Sequence, residues 1–117
     1  MLVPTLPALD LDESIGFYQK LGFTVHARYP DHSYVILVRT GDAMPEEVHL
    51  WLADDPDIPE NTSIYWRVPD ARAAFAAFVA AGAAHAGSKP EKKPWGQWEF
   101  ALTDPAGCLI RVGSPAD

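Results

Sequence analysis

Cysteine, long apolar runs and basic residues are all scarce in this sequence of 117 residues, and each scarcity excludes a class of protein. The single cysteine, Cys108, has no partner for a disulfide within the chain, and its apolar neighbours predict a buried strand position rather than a catalytic one. No apolar run approaches the roughly 18 residues that a membrane helix needs, and the N-terminus lacks the basic-then-apolar pattern of a signal peptide. We therefore expect a cytoplasmic protein without a membrane partner.

Lys and Arg are absent between Thr40 and Trp66, a segment that contains seven acids: Asp42, Glu46, Glu47, Asp54, Asp55, Asp57 and Glu60. The formal net charge of the chain is −7. A nucleic acid backbone would be repelled, so we expect no nucleic acid partner. A cationic ligand would be attracted, although each acid by itself is more simply a solvated surface residue.

The residues that can begin and end helices recur along the sequence with an offset of sixty positions. Asp10 corresponds to Asp70, and Gly22 corresponds to Gly82. An Asp can cap the first N–H groups of a helix, and a Gly can adopt the left-handed conformation that ends one. Two helices of equal length are therefore predicted, each with an apolar stripe at helical spacing.

Strand-like runs surround each predicted helix. In the first half they are residues 2–9, 24–29, 34–39 and 48–52; in the second they are residues 63–68, 84–88, 97–102 and 108–112. The chain length allows one domain, residues 1–117, made of unit one (1–56) and unit two (57–117) and joined by a Pro- and Asp-rich linker at 53–62. The predicted fold class is α+β: two tandem β-α-β-β-β units that form a cupped mixed sheet with the helices on its outer face. A unit of this size is marginal alone, so two units should pair, within the chain or across a dimer.

Two motifs resemble signatures of a known family. Residues 11–23 are similar to the pattern S-x-x-F-Y-x-x-L-G-F, with Ser14, Phe17, Tyr18, Leu21, Gly22 and Phe23 in the matching places. Residues 94–100 and 104–107 resemble P-W-G-x-R-E-F and D-P-A-G, except that Trp98 stands where many relatives have Arg. Together they resemble the vicinal-oxygen-chelate superfamily of glyoxalases, fosfomycin-resistance enzymes and bleomycin-resistance proteins, and above all its bleomycin-binding branch.

The resemblance implies a homodimer that exchanges segments or units and holds two ligands. It also implies that Trp95 lies at the ligand site and that Tyr34 presents a second aromatic ring there. Flat heteroaromatic groups such as a bithiazole stack between such rings, and a cationic tail is attracted to their π faces. The opposing interpretation is that Trp95 covers the core and that Tyr34 packs on the sheet.

The enzymes of this family hold a divalent cation at four strand positions, which the resemblance and the sixty-residue offset place at Val3, Trp51, Ser63 and Arg111. Val and Trp offer no donor atom, Ser is a poor neutral one, and Arg is a permanent cation. The four histidines, at positions 26, 32, 49 and 85, show no spacing that gathers them on one face. We therefore expect no metal, no cofactor and no catalytic residue.

Strand alternation assigns the remaining positions to faces. If Ser63 faces the cup, so do Tyr65 and Arg67, and if Arg111 does, so do Leu109 and Gly113. Their neighbours Ile64, Trp66, Val68, Ile110 and Val112 then form the core. His49 shares a face with Trp51, as a hydrogen-bonding wall residue. Trp98 shares a face with Phe100 and Leu102, which is explained as well by core or dimer contact. The candidate ligand-binding residues are Tyr34, His49, Trp51, Ser63, Tyr65, Trp95, Trp98 and Arg111.

The resulting hypothesis is a metal-free protein that sequesters a bleomycin-type glycopeptide antibiotic, or another heteroaromatic compound, in a cup at a dimer interface. Arg111 is the residue that fits this hypothesis least well. A guanidinium in the cup needs an acid such as Glu99, an anionic ligand or solvent as its partner. Two alternatives stay open at this stage. One is a metal-dependent lyase, isomerase or thiol transferase of the same fold, and the other is a binder of an unrelated metabolite.

Overall fold

The computed structural model describes residues 1–41 and 44–116; Asp42, one of the seven acids, lies outside the described residues. Two four-stranded mixed sheets follow one another along the chain. The first has the order β1 (Thr5–Ala8), β4 (Pro45–Leu52), β3 (Tyr34–Thr40), β2 (Thr24–Tyr29). The second has the order β5 (Ser63–Arg67), β8 (Leu109–Pro115), β7 (Gln97–Thr103), β6 (Glu91–Lys93). In each sheet the first pair is parallel and the others are antiparallel, which confirms the two β-α-β-β-β units.

Two ten-residue helices, α1 (Leu11–Lys20) and α3 (Ala71–Ala80), occupy the same place in the two units. Asp10 accepts a hydrogen bond from the backbone N–H of Glu13, and Asp70 accepts from those of Arg72 and Ala73. Gly22 and Gly82 follow with φ angles of 101° and 80°, so the predicted caps and stops are confirmed. The linker contains one short helix, α2 (Asp57–Glu60). None of the helices in the described ranges is long and apolar enough to span a membrane.

Each sheet has one face covered by its helix, here called the helix face, and one opposite face, called the open face. On β3 and β4 the buried side chains alternate, since Val35, Leu37, Val48 and Leu50 point to the helix face. In unit two the helix face carries Ile64, Trp66, Ile110 and Val112, as alternation predicted. Residues from both units join one hydrophobic core, because Trp66 packs on Phe23 of unit one and on Phe78 of α3.

The strand predicted at residues 84–88 is wrong. The N–H groups of Ala83 and Ala84 both donate to the carbonyl of Phe78 at the end of α3. Immediately beyond, the His85 ring accepts from the N–H of Gly87, and Ser88 closes a turn onto the His85 carbonyl. The N–H groups of this segment therefore bond to nearby carbonyl and ring atoms, and the edge strand forms later, as β6.

A buried hydrogen bond joins the two units at 86 residues of sequence separation. The Tyr18 hydroxyl in α1 donates to Asp104 Oδ2 at 2.6 Å, and both side chains are almost fully buried. Asp104 Oδ1 accepts from the N–H groups of Ala106, Gly107 and Cys108, and so organises the turn between β7 and β8. Burial, followed by the charge of Asp104, raises the pKa of Tyr18 far above its ordinary value. One carboxylate therefore holds a turn of unit two and the helix of unit one together.

Replacing Tyr18 by Phe removes this donor and leaves the buried Oδ2 atom without it. We expect Tyr18→Phe to lower the free energy of unfolding by about 1–3 kcal/mol, measured by urea denaturation at neutral pH. Tyr29→Phe, at an exposed tyrosine, is the matched control and should change it little.

The raised pKa also predicts an alkaline loss of stability. Above a pH of about 10 the unfolded tyrosine ionises while the folded one keeps its proton. The stabilisation is therefore complete below that pH and declines as the pH rises beyond it. Tyr18→Phe should flatten this alkaline decline, and an equally steep decline in the variant would contradict the role given to Tyr18.

Candidate ligand-binding site

The open face of unit two is organised around Glu99. The Tyr65 hydroxyl and the Trp95 indole N–H both donate to Glu99 Oε2, each at 2.7 Å. Trp95 follows Pro94 in the turn between β6 and β7, and its side chain is 65% exposed although its nitrogen is anchored. Tyr65 is 42% exposed. The arrangement therefore displays two aromatic rings to solvent in fixed positions.

Gly113 makes the Tyr65 contact with Glu99 sterically possible. It lies directly opposite Glu99 in the β7–β8 ladder, and the Tyr65 side chain crosses over it. A Cβ atom on Gly113 would lie 1.9 Å from the Tyr65 hydroxyl oxygen, which no packing can accommodate. The missing side chain at position 113 thus sets where Tyr65 lies.

The charge of Glu99 is stabilised in this position. Desolvation raises the pKa of its carboxyl, but the hydrogen bonds from Trp95 and Tyr65, with Lys93 and Arg111 nearby, outweigh it and place the pKa below its ordinary value. The Tyr65 pKa is raised, first by desolvation and then by its bond to Glu99. At neutral pH the cluster is a carboxylate with two neutral donors.

Arg111 lies on the same open face, opposite Tyr65 on one side and Ala101 on the other. Of the partners considered for Arg111, Glu99 accepts from Tyr65 and Trp95 instead. Within the described part of the chain, Arg111 is exposed and forms no hydrogen bond or ion pair. It lines a cavity of about 270 Å³ together with Lys89, Lys93 and Glu99.

The open face of unit one carries a second cluster. The Tyr34 hydroxyl and His49 Nδ1 are 2.6 Å apart, and His49 Nε2 and Glu47 Oε2 are 2.5 Å apart. The Tyr34 and His49 rings meet edge to face at 5.3 Å between centroids. Trp51 lies opposite Tyr34 in the ladder, so alternation places all four side chains on one face, as predicted for His49 and Trp51.

Two other predicted site residues lie apart from these clusters. Ser63 is exposed on the open face of unit two, opposite Leu109. Trp98 is on the helix face, where the Arg72 guanidinium lies 4.8 Å from its ring centroid. The structure therefore does not bring Trp98 to either open face, and the Arg72 contact accounts for an aromatic residue there.

A cavity of about 540 Å³ lies at the junction of the two units. Its wall includes Glu47 of unit one and Tyr65 of unit two, and the N-terminal residues 1–4 contribute apolar side chains. Glu47 was not predicted as a site residue, and the signal available for it was its spacing of two from His49.

Cys108 takes no part in these clusters. It is fully buried, and burial followed by the charge of Asp104 raises the pKa of its thiol to about 12, so it is no nucleophile at neutral pH.

Comparison with known proteins decides the family. Residues 3–112 match the family model of the glyoxalase/bleomycin resistance protein/dioxygenase superfamily. The chain belongs to this superfamily. A bleomycin resistance protein of Klebsiella pneumoniae is 34% identical over 116 residues, which cover 93% of this chain and 87% of that protein.

Solved structures of the superfamily have the same fold. A bleomycin resistance determinant encoded on the transposon Tn5 aligns with a TM-score of 0.80 at 27% identity, covering 98% of this chain and 97% of that one. A bleomycin-binding protein in complex with bleomycin aligns with a TM-score of 0.78 at 27% identity, covering 97% of each chain. A bleomycin-binding protein of Streptomyces verticillus in complex with copper(II)-bleomycin gives 0.75 at 25% identity, covering 99% and 94%. The family resemblance seen in the two motifs is confirmed.

The metal site that the superfamily implies does not fit the residues of this chain. Val3 lines the apolar junction cavity, Trp51 presents an indole, and Arg111 brings a fixed positive charge. Ser63 alone has an oxygen, and a neutral hydroxyl is a poor ligand. Among residues 1–41 and 44–116, no three His, Cys, Asp or Glu side chains are gathered as a metal centre requires.

The steric role of Gly113 gives a direct test of the Glu99 cluster. Gly113→Ala should displace Tyr65 and remove its bond to Glu99, so the carboxyl pKa of Glu99, followed by NMR titration, should rise. We expect a loss of about 1 kcal/mol or more in unfolding free energy. Gly16→Ala in α1 is the matched control, because a Cβ on Gly16 meets nothing within 4 Å. Alanine favours helices, so the free energy of unfolding of this variant should rise by about 0.5–1 kcal/mol. An unchanged Glu99 titration in Gly113→Ala would refute the assignment.

Proposed function

We propose that this protein binds a bleomycin-type glycopeptide antibiotic stoichiometrically and without chemical change, and so sequesters it. The observation that carries the proposal is Trp95, a large aromatic side chain that is mostly exposed and yet held at its nitrogen by Glu99. A ring fixed in solvent costs little entropy to order when a flat heteroaromatic group stacks on it. The bleomycin-binding relatives support this choice of ligand.

The ligand would lie between open faces of two copies of the chain. In a single copy, exposed side chains include Tyr65, Trp95 and Arg111. A large antibiotic needs more enclosing surface than one such face offers. The cluster of Tyr34, His49 and Trp51 on unit one supplies a second aromatic wall. A homodimer would therefore hold two ligands, each between unit one of one copy and unit two of the other.

The acidic surface supports a cationic ligand. Asp54, Asp55, Asp57 and Glu60 are exposed around α2, and the chain carries a formal net charge of −7. Such a field increases the rate at which a cation associates, and the effect weakens with added salt. Binding of the antibiotic should therefore be faster at low ionic strength.

Isothermal titration calorimetry with bleomycin tests the proposal. We expect one ligand per chain for the wild type and an affinity at least about tenfold lower for Trp95→Ala, because the stacking surface is lost. Trp95→Phe keeps a ring but loses the donor to Glu99, so its affinity should fall between the two. Gln19→Ala, on exposed α1, is the control and should bind as the wild type does.

Two results would contradict sequestration. One is the absence of heat and of any tryptophan fluorescence change at high bleomycin concentration. The other is a change in the mass of bleomycin recovered after incubation, which would indicate catalysis.

A second candidate function rests on Arg111. Its guanidinium lines the 270 Å³ cavity with Lys89, and a carboxylate or phosphate group could bind between the two. Lys93 lines the same cavity but is paired with Glu91. The protein would then bind an anionic metabolite instead. Native mass spectrometry of freshly purified protein should find such a molecule in the wild type and lose it in Arg111→Gln, and a bound bleomycin-type cation retained by that variant would favour the first function.

A further inference from the structure

On the open face of unit one, three side chains form a chain of hydrogen bonds that runs from Tyr34 through His49 to Glu47. Glu47 and His49 are neighbours on the same face of β4, and Tyr34 reaches His49 from β3. The side chains of Glu47 and His49 are 30% and 20% exposed, so each is restrained by its surroundings but open to a ligand. The second, edge-to-face contact between the Tyr34 and His49 rings limits the rotation of both.

The positions of the protons follow from the chemistry of the three groups. A carboxylate only accepts, so His49 Nε2 must carry a proton to bond to Glu47. In a neutral imidazole the other nitrogen, Nδ1, then accepts, and the donor to it is the Tyr34 hydroxyl. The hydroxyl proton is thereby used inside the cluster. The Tyr34 oxygen therefore remains available as an acceptor for an outside group.

The surroundings strengthen this acceptor character. The positions opposite the cluster are Thr5, Ile36, Val38 and Trp51, and none carries a positive charge. Arg28 and Arg39 are paired elsewhere, with Asp12 and Glu46. The titratable groups that β2 contributes nearby are Tyr29, opposite Tyr34, and His26 at the bulge of that strand. Arg67 lines the junction cavity together with Glu47, but Glu47 is the charged group in direct contact with His49.

We propose that Glu47, His49 and Tyr34 form a relay that turns the Tyr34 oxygen into an acceptor for a cationic or N–H-donating group of the ligand. The proposal rests on the proposed binding function and identifies which part of a ligand this half of the site selects. Tyr34 touches the ligand. His49 and Glu47 are positioning residues, since they act by orienting the hydroxyl.

Protonation of His49 inverts the relay. Both ring nitrogens then donate, Nε2 to Glu47 and Nδ1 to the Tyr34 oxygen, so the hydroxyl proton turns outward. The site becomes a donor and gains a positive charge. The acceptor character of the Tyr34 oxygen therefore belongs to the neutral form of His49.

The tautomer of His49 can be measured without any ligand. In long-range ¹H–¹⁵N NMR spectra at neutral pH, the wild type should show a protonated Nε2 and an unprotonated Nδ1. Glu47→Gln keeps the shape but replaces the carboxylate by an amide, which accepts less strongly and can also donate, so the preference for a protonated Nε2 should weaken. A protonated Nδ1 in the wild type, or the same tautomer populations in both proteins, would overturn the relay.

Selectivity is tested with two small probes, benzylammonium and benzoate, titrated into the protein while the Tyr34 and His49 ring signals are followed. At pH 7.5 the wild type should bind benzylammonium about five- to tenfold more tightly than benzoate, and Tyr34→Phe should lose that preference. Glu47→Gln should lose it as well. Glu13→Gln, which removes one exposed acid on α1, outside both the relay and the acidic surface around α2, should keep it. Equal binding of both probes by the wild type would refute the proposal.

Two variants of His49 separate a relay from a merely structural role. His49→Gln keeps one acceptor for Tyr34 and one donor for Glu47, so it should keep the preference for benzylammonium over benzoate. His49→Phe fills the same space without either group and should lose that preference. The same preference in both variants would overturn the proposal. Because these probes do not depend on bleomycin, failure of the relay and failure of antibiotic binding are observed separately.

Discussion

The bond between Tyr18 and Asp104 is the constraint on which the rest of the molecule depends. One carboxylate oxygen of Asp104 accepts hydrogen bonds from three backbone N–H groups of the β7–β8 turn. The other accepts from the Tyr18 hydroxyl of the opposite unit. Both groups are buried, so neither has water as an alternative partner, and separating the units would leave a carboxylate without its donor. The same side chain thus shapes a turn and joins the two repeats, and the hydrophobic core between them forms around it.

The geometry of the Glu99 cluster follows from that turn. The β7–β8 turn sets the register that places Glu99 opposite Gly113 and Ala101 opposite Arg111. Only this register lets Tyr65 cross the glycine and share Glu99 with Trp95. Unit one has the same topology but a different result, since its open face places an imidazole between a phenol and a carboxylate. Two copies of one architecture therefore present two distinct polar clusters, each beside aromatic rings.

Much of the fold was accessible from local rules. The caps at Asp10 and Asp70, the glycines that end the helices, and the alternation that divides Tyr65 from Trp66 all depend on neighbours within a few residues. The error at residues 84–88 has the opposite origin. The backbone of that segment forms hydrogen bonds with the end of α3 and within turns around His85. The edge strand forms instead at residues 91–93, where it pairs with β7. An apolar pattern does not show which of two adjacent segments the sheet will pair with.

The sequence by itself determined the family, the two repeated units, and which side of each strand a residue occupies, because these depend on period, capping chemistry and motif. At the four positions where the resemblance implies metal ligands, the sequence has Val3, Trp51, Ser63 and Arg111. Only the tertiary structure decided the partners. Glu99 takes Tyr65 and Trp95 rather than Arg111, and Glu47 rather than a more distant acid orients His49. Such choices depend on strand register and on the space left by a glycine, and both arise only when distant segments meet.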